Sequence, residues 1–176
     1  MSTNKMFFAG SGGQGIMLMG QIVGSAAIID EKEATFYPSY GPEMRGGTAN
    51  CTVIVSDKPI SSPVISEADC VVAMTLPSML KFEAALKPGG IMLVNKSLIH
   101  QTPKRSDITI YEIPVTEMAQ ELGEVRVANI IMLGAFVRTT NIVKAESTQA
   151  VINDVFSKKK AQLLELELKA FNYWKQ

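Results

Sequence analysis

Short apolar runs alternate with longer segments of helical spacing along the first two thirds of the chain. Six runs of four to eight residues, rich in aliphatic, β-branched and aromatic side chains, predict strands. They cover residues 5–9, 34–37, 48–55, 70–74, 91–94 and 108–112. Strands that alternate with helices are typical of an α/β domain with a largely parallel sheet, so we predict that fold class.

The helices are predicted from longer stretches that lack internal proline. The first covers residues 16–29, and a second opens with Pro77 in its first turn and is expected to end at residues 87–90, Lys-Pro-Gly-Gly. From residue 115 onward the pattern is helical, over residues 115–122, 129–140, 146–156 and 158–174. We therefore predict one domain, residues 1–176, with a Rossmann-like first half and a helical C-terminal third.

Two glycines of the first predicted helix point to close packing. Gly20 and Gly24 are four residues apart, so they share one face of the helix. Each costs the helix about 1 kcal/mol relative to alanine. We expect the absent side chains to let this face lie close to the sheet.

The composition indicates a surface for a protein partner and argues against nucleic acid as a ligand. Hydrophobic residues make up 47% of the chain, charged residues 19%, and there are ten methionines. Because methionine suits adaptable contact surfaces, part of this apolar content is expected to face a partner. The 17 basic and 17 acidic residues balance and form no basic stripe, so nucleic acid is not an expected ligand.

The two cysteines and the chain's hydropathy indicate a compartment. Cys51 and Cys70 are too few for an iron–sulfur cluster, which takes about four sulfur ligands, and they do not have the spacing of a zinc site. We expect both to be buried, reduced thiols. Residues 1–5 lack the apolar core of a signal peptide, and no apolar run reaches the roughly 18 to 20 residues of a membrane span. The expectation is a cytoplasmic protein that makes no membrane contact.

A glycine cluster between the first strand and the first helix is the first candidate site. Gly10, Gly12 and Gly15 satisfy G-x-G-x-x-G, and Gly13 and Gln14 complete the turn. Backbone amides at such a helix start can bind a phosphate or carboxylate. The same glycines can also serve only to pack the helix on the strand, and both interpretations stay open. The strand ends that follow, at residues 38–47 and 95–97, are expected to converge on the same edge of the sheet.

A dinucleotide site would need an acidic residue at the end of the second strand, about 20 residues after the glycines. Asp30 and Glu31 lie at that distance, but they end the first helix, and the second strand leads into Pro38 and Ser39. This weakens the case for NAD. A free-standing NAD(P)- or flavin-dependent oxidoreductase is kept as the alternative, as is a purely structural interaction module. His100, the sole histidine, has no evident partner and is expected in a surface loop.

The second candidate site is the segment YGPEMRGG at residues 40–47. Glycines permit unusual backbone conformations and proline stiffens a turn, so this loop is built to hold a defined shape. Tyr40, Glu43, Arg45, Gly46 and Gly47 are the candidate binding residues. Arg45 is the strongest of them, because a guanidinium can clamp a phosphate or the carboxylate of a partner. A solvated Glu43–Arg45 pair at a loop tip is the simpler possibility.

These motifs occur together, and in this order, in one family. The glycine cluster, the loop at 40–47, Pro59-Ile60, Ser62-Pro63, Ala68-Asp69 and LKPGG at 86–90 resemble the γ subunit of 2-oxoacid:ferredoxin (acceptor) oxidoreductases over nearly the whole chain. The resemblance implies a chain that is not catalytic alone, within a complex that converts a 2-oxoacid and coenzyme A to an acyl-CoA and passes electrons to ferredoxin.

The resemblance also implies the partners and cofactors. Thiamine diphosphate and Mg would lie on α and β subunits and [4Fe–4S] clusters on a ferredoxin-like subunit. This chain would bind no cofactor alone and would contact coenzyme A as a co-substrate. The isolated chain is expected to be able to form a homodimer. Arg-Gly-Gly at 45–47 is closer to the 2-oxoglutarate and branched-chain forms than to the pyruvate form, which favours 2-oxoglutarate. Glu167 departs from the family, whose last helix often has asparagine there.

Overall fold

One sheet runs through the centre of the chain. The computed structural model describes residues 2–39 and 48–176. Six strands in these ranges pair in the order β2-β3-β1-β4-β5-β6. The strands are β1 (Thr3–Ser11), β2 (Glu33–Ser39), β3 (Thr48–Ser56), β4 (Ala68–Ala73), β5 (Leu86–Asn95) and β6 (Thr109–Ile113). Each predicted strand is present, with boundaries that differ by a few residues.

Helices cover both faces of this sheet. They are α1 (Ile16–Ile29), α2 (Leu76–Phe82), α3 (Val115–Glu121), α4 (Ala128–Thr140), α5 (Ala145–Ser157) and α6 (Ala161–Phe171), with 3-10 turns at Glu83–Ala85 and Val125–Val127. Helix α2 packs on one face and the other helices on the opposite face. The α/β class and the helical C-terminal third are confirmed.

Strand β3 runs against all the others. It is antiparallel to both β1 and β2, whereas β1, β4, β5 and β6 are parallel neighbours. Strand β2 is consequently parallel to β1 although β3 lies between them, and the largely parallel sheet is confirmed. The carboxyl ends of five strands and the amino end of β3 thus meet at one side of the sheet, which we call the carboxyl edge.

The core follows from the alternation of side chains along buried strands. In β1, Met6 and Phe8 face the five-helix side, whereas Phe7 and Ala9 face α2. Phe8 packs on Phe136 of α4, with the ring centroids 5.2 Å apart. Phe7 packs on Phe82 of α2, with the ring centroids 4.7 Å apart. Because both faces are covered, the strand is apolar without interruption.

Most of the apolar content lies in this core. Six methionines are at most 1% exposed: Met6, Met19, Met74, Met79, Met92 and Met132. For these six, the expectation of a methionine contact surface is wrong. The exposed large apolar side chains are Ile28, Ile29, Tyr37, Val64, Leu80, Leu98 and Val125. Within the described ranges, none of the helices is long and apolar enough to cross a membrane.

The prediction of where the second helix ends is wrong. Residues 87–90 belong to β5, and the helix ends earlier, through the 3-10 turn. The pairing of β5 with β4 skips from Leu86 to Ile91, so the Lys-Pro-Gly-Gly segment bulges out of the strand. Lys87 holds the bulge through an ion pair with Asp69, Nζ to Oδ1 at 3.0 Å. Turn-forming residues here interrupt a strand and do not end a helix.

The start of the last predicted helix also differs. The sequence predicts it from residue 158, but α6 begins at Ala161. Lys158 is the C-terminal cap of α5, and Lys160 has an extended backbone at ψ 138° before the first turn of α6. These lysines are exposed, so they form a solvated link between two helices.

Only one of the two glycines of α1 packs as predicted. A Cβ at Gly20 would lie 2.6 Å from Sγ of Cys51 and 3.0 Å from the ring of Phe36, so this position needs glycine. A Cβ at Gly24 would have no described atom within 4 Å. The prediction of close packing is confirmed for Gly20 and wrong for Gly24.

Alanine at these two positions is expected to act in opposite directions. Gly24→Ala should raise the free energy of unfolding by about 0.5 to 1 kcal/mol, because alanine favours the helix and the site is open. Gly20→Ala should lower it by about 1 to 3 kcal/mol through overpacking against Cys51. Urea unfolding of the two variants beside the parent chain measures both effects. Equal shifts of the same sign would contradict the packing described for α1.

Candidate functional site

A cavity of about 170 Å³ opens at the carboxyl edge, between the glycine turn, α3 and α4. We call it the edge cavity. Its lining residues are Gly13, Gln14, Met74, Leu98, Thr116, Val125, Arg126, Ala128 and Asn129. Glycine-turn residues thus meet residues from the ends of β4 and β5 and from the start of α4, as expected for the carboxyl ends of parallel strands.

The glycines of the cluster have different physical roles. Gly10 lies in β1, where a Cβ would be 2.9 Å from Cβ of Met74. Gly15 has φ +73°, and a Cβ there would be 2.2 Å from Nδ2 of Asn129. Gly13 has φ +89°, is exposed, and has open space where a side chain would be. Packing therefore explains Gly10 and Gly15, whereas Gly13 is required by backbone conformation alone.

Gln14 closes the turn from within. Its backbone N–H donates to the carbonyl of Ser11 at 3.2 Å, and its Oε1 accepts from the N–H of Ser11 at 2.8 Å. Gly12 lies within the turn that these two hydrogen bonds close, and it is partly exposed. The side chain predicted to bind a ligand thus uses its oxygen to hold the turn in shape.

The start of α1 points its unpaired backbone amides towards this edge. Gly15 caps the helix without a side-chain cap, and its carbonyl accepts from the N–H of Met19 at 3.1 Å. The N–H groups before Met19 have no carbonyl within the helix to bond, and the helix dipole adds positive potential there. Both interpretations of this turn, packing and anion binding, therefore stay open, because the packing of Gly10 and Gly15 does not use these amides.

Asn129 is a site residue that the sequence reasoning missed. Its Nδ2 donates to the carbonyl of Gly15 at 3.3 Å, which ties α4 to the start of α1. The side chain is 5% exposed and lines the edge cavity. A lone asparagine in the otherwise apolar first turns of α4 was the available signal, since a buried amide needs a polar partner.

Arg126 is the second missed residue. It lines the edge cavity, and its side chain is 86% exposed. Glu124 fixes its guanidinium in two places, Nε to Oε1 at 3.1 Å and Nη2 to Oε2 at 2.9 Å. The side-chain hydrogen bonds from Arg126 are the main cause that lowers the pKa of Glu124 to about 2. The result is a positioned cation at the rim of the cavity.

The end of β5 braces the other side of the cavity. Asn95 is buried, and its Nδ2 donates to Oγ1 of Thr116 at 3.0 Å. Its Oδ1 accepts from the N–H of Ser97 at 3.2 Å. Residues 95–97 therefore reach the predicted edge, but Thr116 and Leu98 are the ones that border the cavity.

The second candidate loop lies outside the described residues. Tyr40, Glu43, Arg45, Gly46 and Gly47 are all within it, so their predicted binding roles stay predictions. The residues on either side of this loop are at the carboxyl edge. Ser39, the last residue of β2, pairs with Asn50, and Thr48, the first residue of β3, pairs with Ser11 at the end of β1.

The acidic residues considered for a dinucleotide ribose have another use. Oδ2 of Asp30 accepts from the N–H of Lys144 at 2.8 Å, and its Oδ1 accepts from the hydroxyl of Ser147. Asp30 thus attaches the end of α1 to the first turn of α5. Glu31 has φ +60° in the turn that follows α1. His100 is exposed in a loop, as predicted.

The cysteines are buried thiols on two strands of the sheet that are separated by β1. Cys51 lies in β3 and Cys70 in β4, and both are free. Burial raises the pKa of Cys51 to about 12 and raises that of Cys70 still further above its ordinary value. The prediction that both cysteines are buried is confirmed, and they do not form a disulfide with each other. Among residues 2–39 and 48–176, no three His, Cys, Asp or Glu side chains are grouped to hold a metal ion.

The fold and this edge define an α/β domain of the kind found in oxidoreductase subunits. The chain belongs to the pyruvate ferredoxin/flavodoxin oxidoreductase family, whose profile matches residues 5–173. This confirms the γ-type 2-oxoacid oxidoreductase chain predicted from the motifs. The free-standing NAD(P)- or flavin-dependent alternative is not favoured by this match.

Three similar proteins refine this assignment. The chain is 44% identical over 152 residues to 2-oxoglutarate synthase subunit KorC of Methanocaldococcus jannaschii, covering 83% of this chain and 80% of that protein. The keto/oxoacid ferredoxin oxidoreductase γ subunit of Geobacter sulfurreducens superposes with a TM-score of 0.82 at 34% identity, covering 96% and 94% of the two chains.

The third likeness concerns the fold alone. The 2-oxoglutarate:ferredoxin oxidoreductase of Magnetococcus marinus, solved with 2-oxoglutarate, coenzyme A and succinyl-CoA bound, superposes with a TM-score of 0.91 at 23% identity. The match covers 98% of this chain and 30% of that one. The same fold therefore makes up nearly all of the Geobacter sulfurreducens chain and only a part of the Magnetococcus marinus one.

The contact between Gly15 and Asn129 generates a prediction for stability. Gly13→Ala should cost about 1 to 2 kcal/mol, the strain of a left-handed backbone. Gly15→Ala should cost that strain and a further 1 to 3 kcal/mol, roughly, because its Cβ would strike the amide of Asn129. Adding Asn129→Ala should recover part of the Gly15→Ala loss, as measured by a urea-unfolding double-mutant cycle. Strict additivity in that cycle would rule out the contact.

Proposed function

We propose that the chain is the γ subunit of a 2-oxoglutarate:ferredoxin oxidoreductase. The complex would convert 2-oxoglutarate, coenzyme A and two oxidised ferredoxins to succinyl-CoA, CO₂, a proton and two reduced ferredoxins. The observation that carries this proposal is the match to a 2-oxoglutarate synthase subunit at 44% identity over most of both chains. The Arg-Gly-Gly form of residues 45–47 supports the same substrate.

The redox chemistry belongs, on this proposal, to other chains. Thiamine diphosphate and Mg would be held by the α and β subunits and [4Fe–4S] clusters by a ferredoxin-like subunit. Two cysteines are fewer than the four that a cluster takes, and both are buried in the sheet. The residues of this chain therefore do not fit a cluster, and its role is to bind and orient.

The edge cavity and the loop at 40–47 are the proposed contact with coenzyme A. The start of α1 and the guanidinium of Arg126 supply positive potential suited to phosphate groups. Leu98 and Val125 flank the cavity and are 45% and 49% exposed, which suits the less polar pantetheine arm or a partner surface. Arg45 would add a second guanidinium from the neighbouring loop.

Anaerobic co-purification tests the subunit assignment. A tagged chain expressed in its native host should bring down larger α- and β-type subunits and a cluster-bearing subunit. The isolated chain should have no turnover, and we propose that it pairs with itself through the apolar surface left uncovered, which sedimentation measures. A chain that purifies without other subunits from cells that use it would contradict the assignment.

The substrate is tested on the purified complex. Reduction of ferredoxin should be faster with 2-oxoglutarate than with pyruvate or 2-oxoisovalerate, each assayed with saturating coenzyme A. Preference for either of the other two acids would leave the γ assignment intact and reject the proposed substrate.

Two arginine variants test the contact with coenzyme A. Arg45→Ala should raise the KM for coenzyme A about tenfold to hundredfold, since a charge-assisted hydrogen bond contributes about 1.5 to 3 kcal/mol. Arg126→Ala should raise it by less, because its side chain is largely solvated. Lys58→Ala is the matched control, an exposed cation beyond β3 at the opposite side of the sheet. An unchanged KM in an intact complex would remove the arginine concerned from the site.

A further inference from the structure

A second cavity, of about 210 Å³, lies where α6 packs against the end of α5 and the 3-10 turn before α4. We call it the α6 cavity. Its lining residues are Glu124, Arg126, Val127, Phe156, Lys159, Leu163 and Glu167. Arg126 borders both this cavity and the edge cavity.

Glu167 is an unusual group to find there. It is 7% exposed, and its Oε2 has no hydrogen-bond partner among the described residues. An unpaired buried carboxylate is costly, so the neutral form is favoured. Burial is the main cause that raises the pKa of Glu167 to about 7, with Glu124 adding to the rise and Lys159 opposing it.

Among the described residues that line the α6 cavity, Lys159 is the cation without an ion-pair partner. Glu124 caps the 3-10 turn and Arg126 lies within it, and the guanidinium of Arg126 donates to both carboxylate oxygens of Glu124. On α4 the one charged side chain, Arg138, donates to the carbonyl of Phe171 at 2.8 Å, a turn beyond Glu167. Lys159, in the link between α5 and α6, has no described carboxylate oxygen within 4 Å, and its Nζ lies 5.0 Å from the centre of the Phe156 ring.

We propose that the α6 cavity is an ammonium site whose ligand is Lys159. In this structure Lys159 rests on the ring of Phe156, the position that we assign to the chain with Glu167 protonated. When Glu167 loses its proton, Lys159 moves into the cavity, its methylene stem along Leu163 and its ammonium on the carboxylate. The α5–α6 link is thereby latched to the middle of α6. This inference does not depend on the proposed function.

The latch has a defined pH dependence. The pKa of Glu167 is raised in the folded chain, so its contribution to stability is fully present below its ordinary value of 4.5 and is lost as pH rises through about 7. Pairing with Lys159 limits that loss above neutrality. Without Lys159, the carboxylate would be buried with no nearby free cation.

Titration of the full-length chain by carbon-detected NMR tests the proposal. Through-bond correlation assigns the Glu167 carboxyl, and a nuclear Overhauser contact from the Lys159 side chain to Leu163 reports its position. In the parent chain the carboxyl should titrate near pH 7, and the contact should appear above that pH only. Lys159→Met should move the midpoint upward by about one unit, the low end for loss of a nearby opposite charge.

Lys160→Met is the matched control, because that side chain is exposed and does not line the cavity. It should leave the midpoint unchanged. Urea midpoints at pH 5.5 and 8.5 give a second measurement, in which Lys159→Met should lose more on going to the higher pH than either the parent or the control. A Glu167 midpoint near its ordinary value, or equal shifts from Lys159→Met and Lys160→Met, would overturn the proposal.

Discussion

The lack of space around the end of β1 is the constraint on which the rest of the structure depends. Strand β1 is central in the sheet and buried on both faces, so the turn that leaves it must pass between β4 and the start of α4. Gly10 and Gly15 have no room for a Cβ there, and Asn129 bonds the turn from the α4 side. This contact places α1 and α4 side by side and so determines where the edge cavity lies.

Much of the fold was predictable, because burial imposes a readable pattern. The run of apolar residues at 5–9 predicts a strand covered on both faces, and α1 has the predicted bounds, 16–29. The predictions that were wrong concern residue types that can serve two different structural purposes. Lys-Pro-Gly-Gly at 87–90 ends helices in many chains but bulges a strand here, because Leu86 is already buried against β4. Gly24 resembles Gly20 in sequence and differs only in what lies opposite it.

The site was predictable in part, for a physical reason. Glycines mark a backbone conformation, which is local, so the glycine turn could be located from sequence. Asn129 acts through the carbonyl of Gly15, which is 114 residues away in the sequence. Arg126 acts through Glu124, and that contact depends on the geometry of the turn between them. Neither residue belongs to a motif. The part of the site that depends on tertiary contacts therefore required the structure.

The reversed strand has a consequence for how the carboxyl edge can vary. In a purely parallel sheet every connection at that edge leads into a helix, so a change in its length disturbs helix packing. Because β3 runs backwards, the connection from β2 to β3 is a hairpin that starts and ends at this edge. Such a loop can be exchanged or lengthened without moving any helix. The fold thus offers one segment at the carboxyl edge whose length can change independently of the helices, and Arg45 lies in that segment of the sequence.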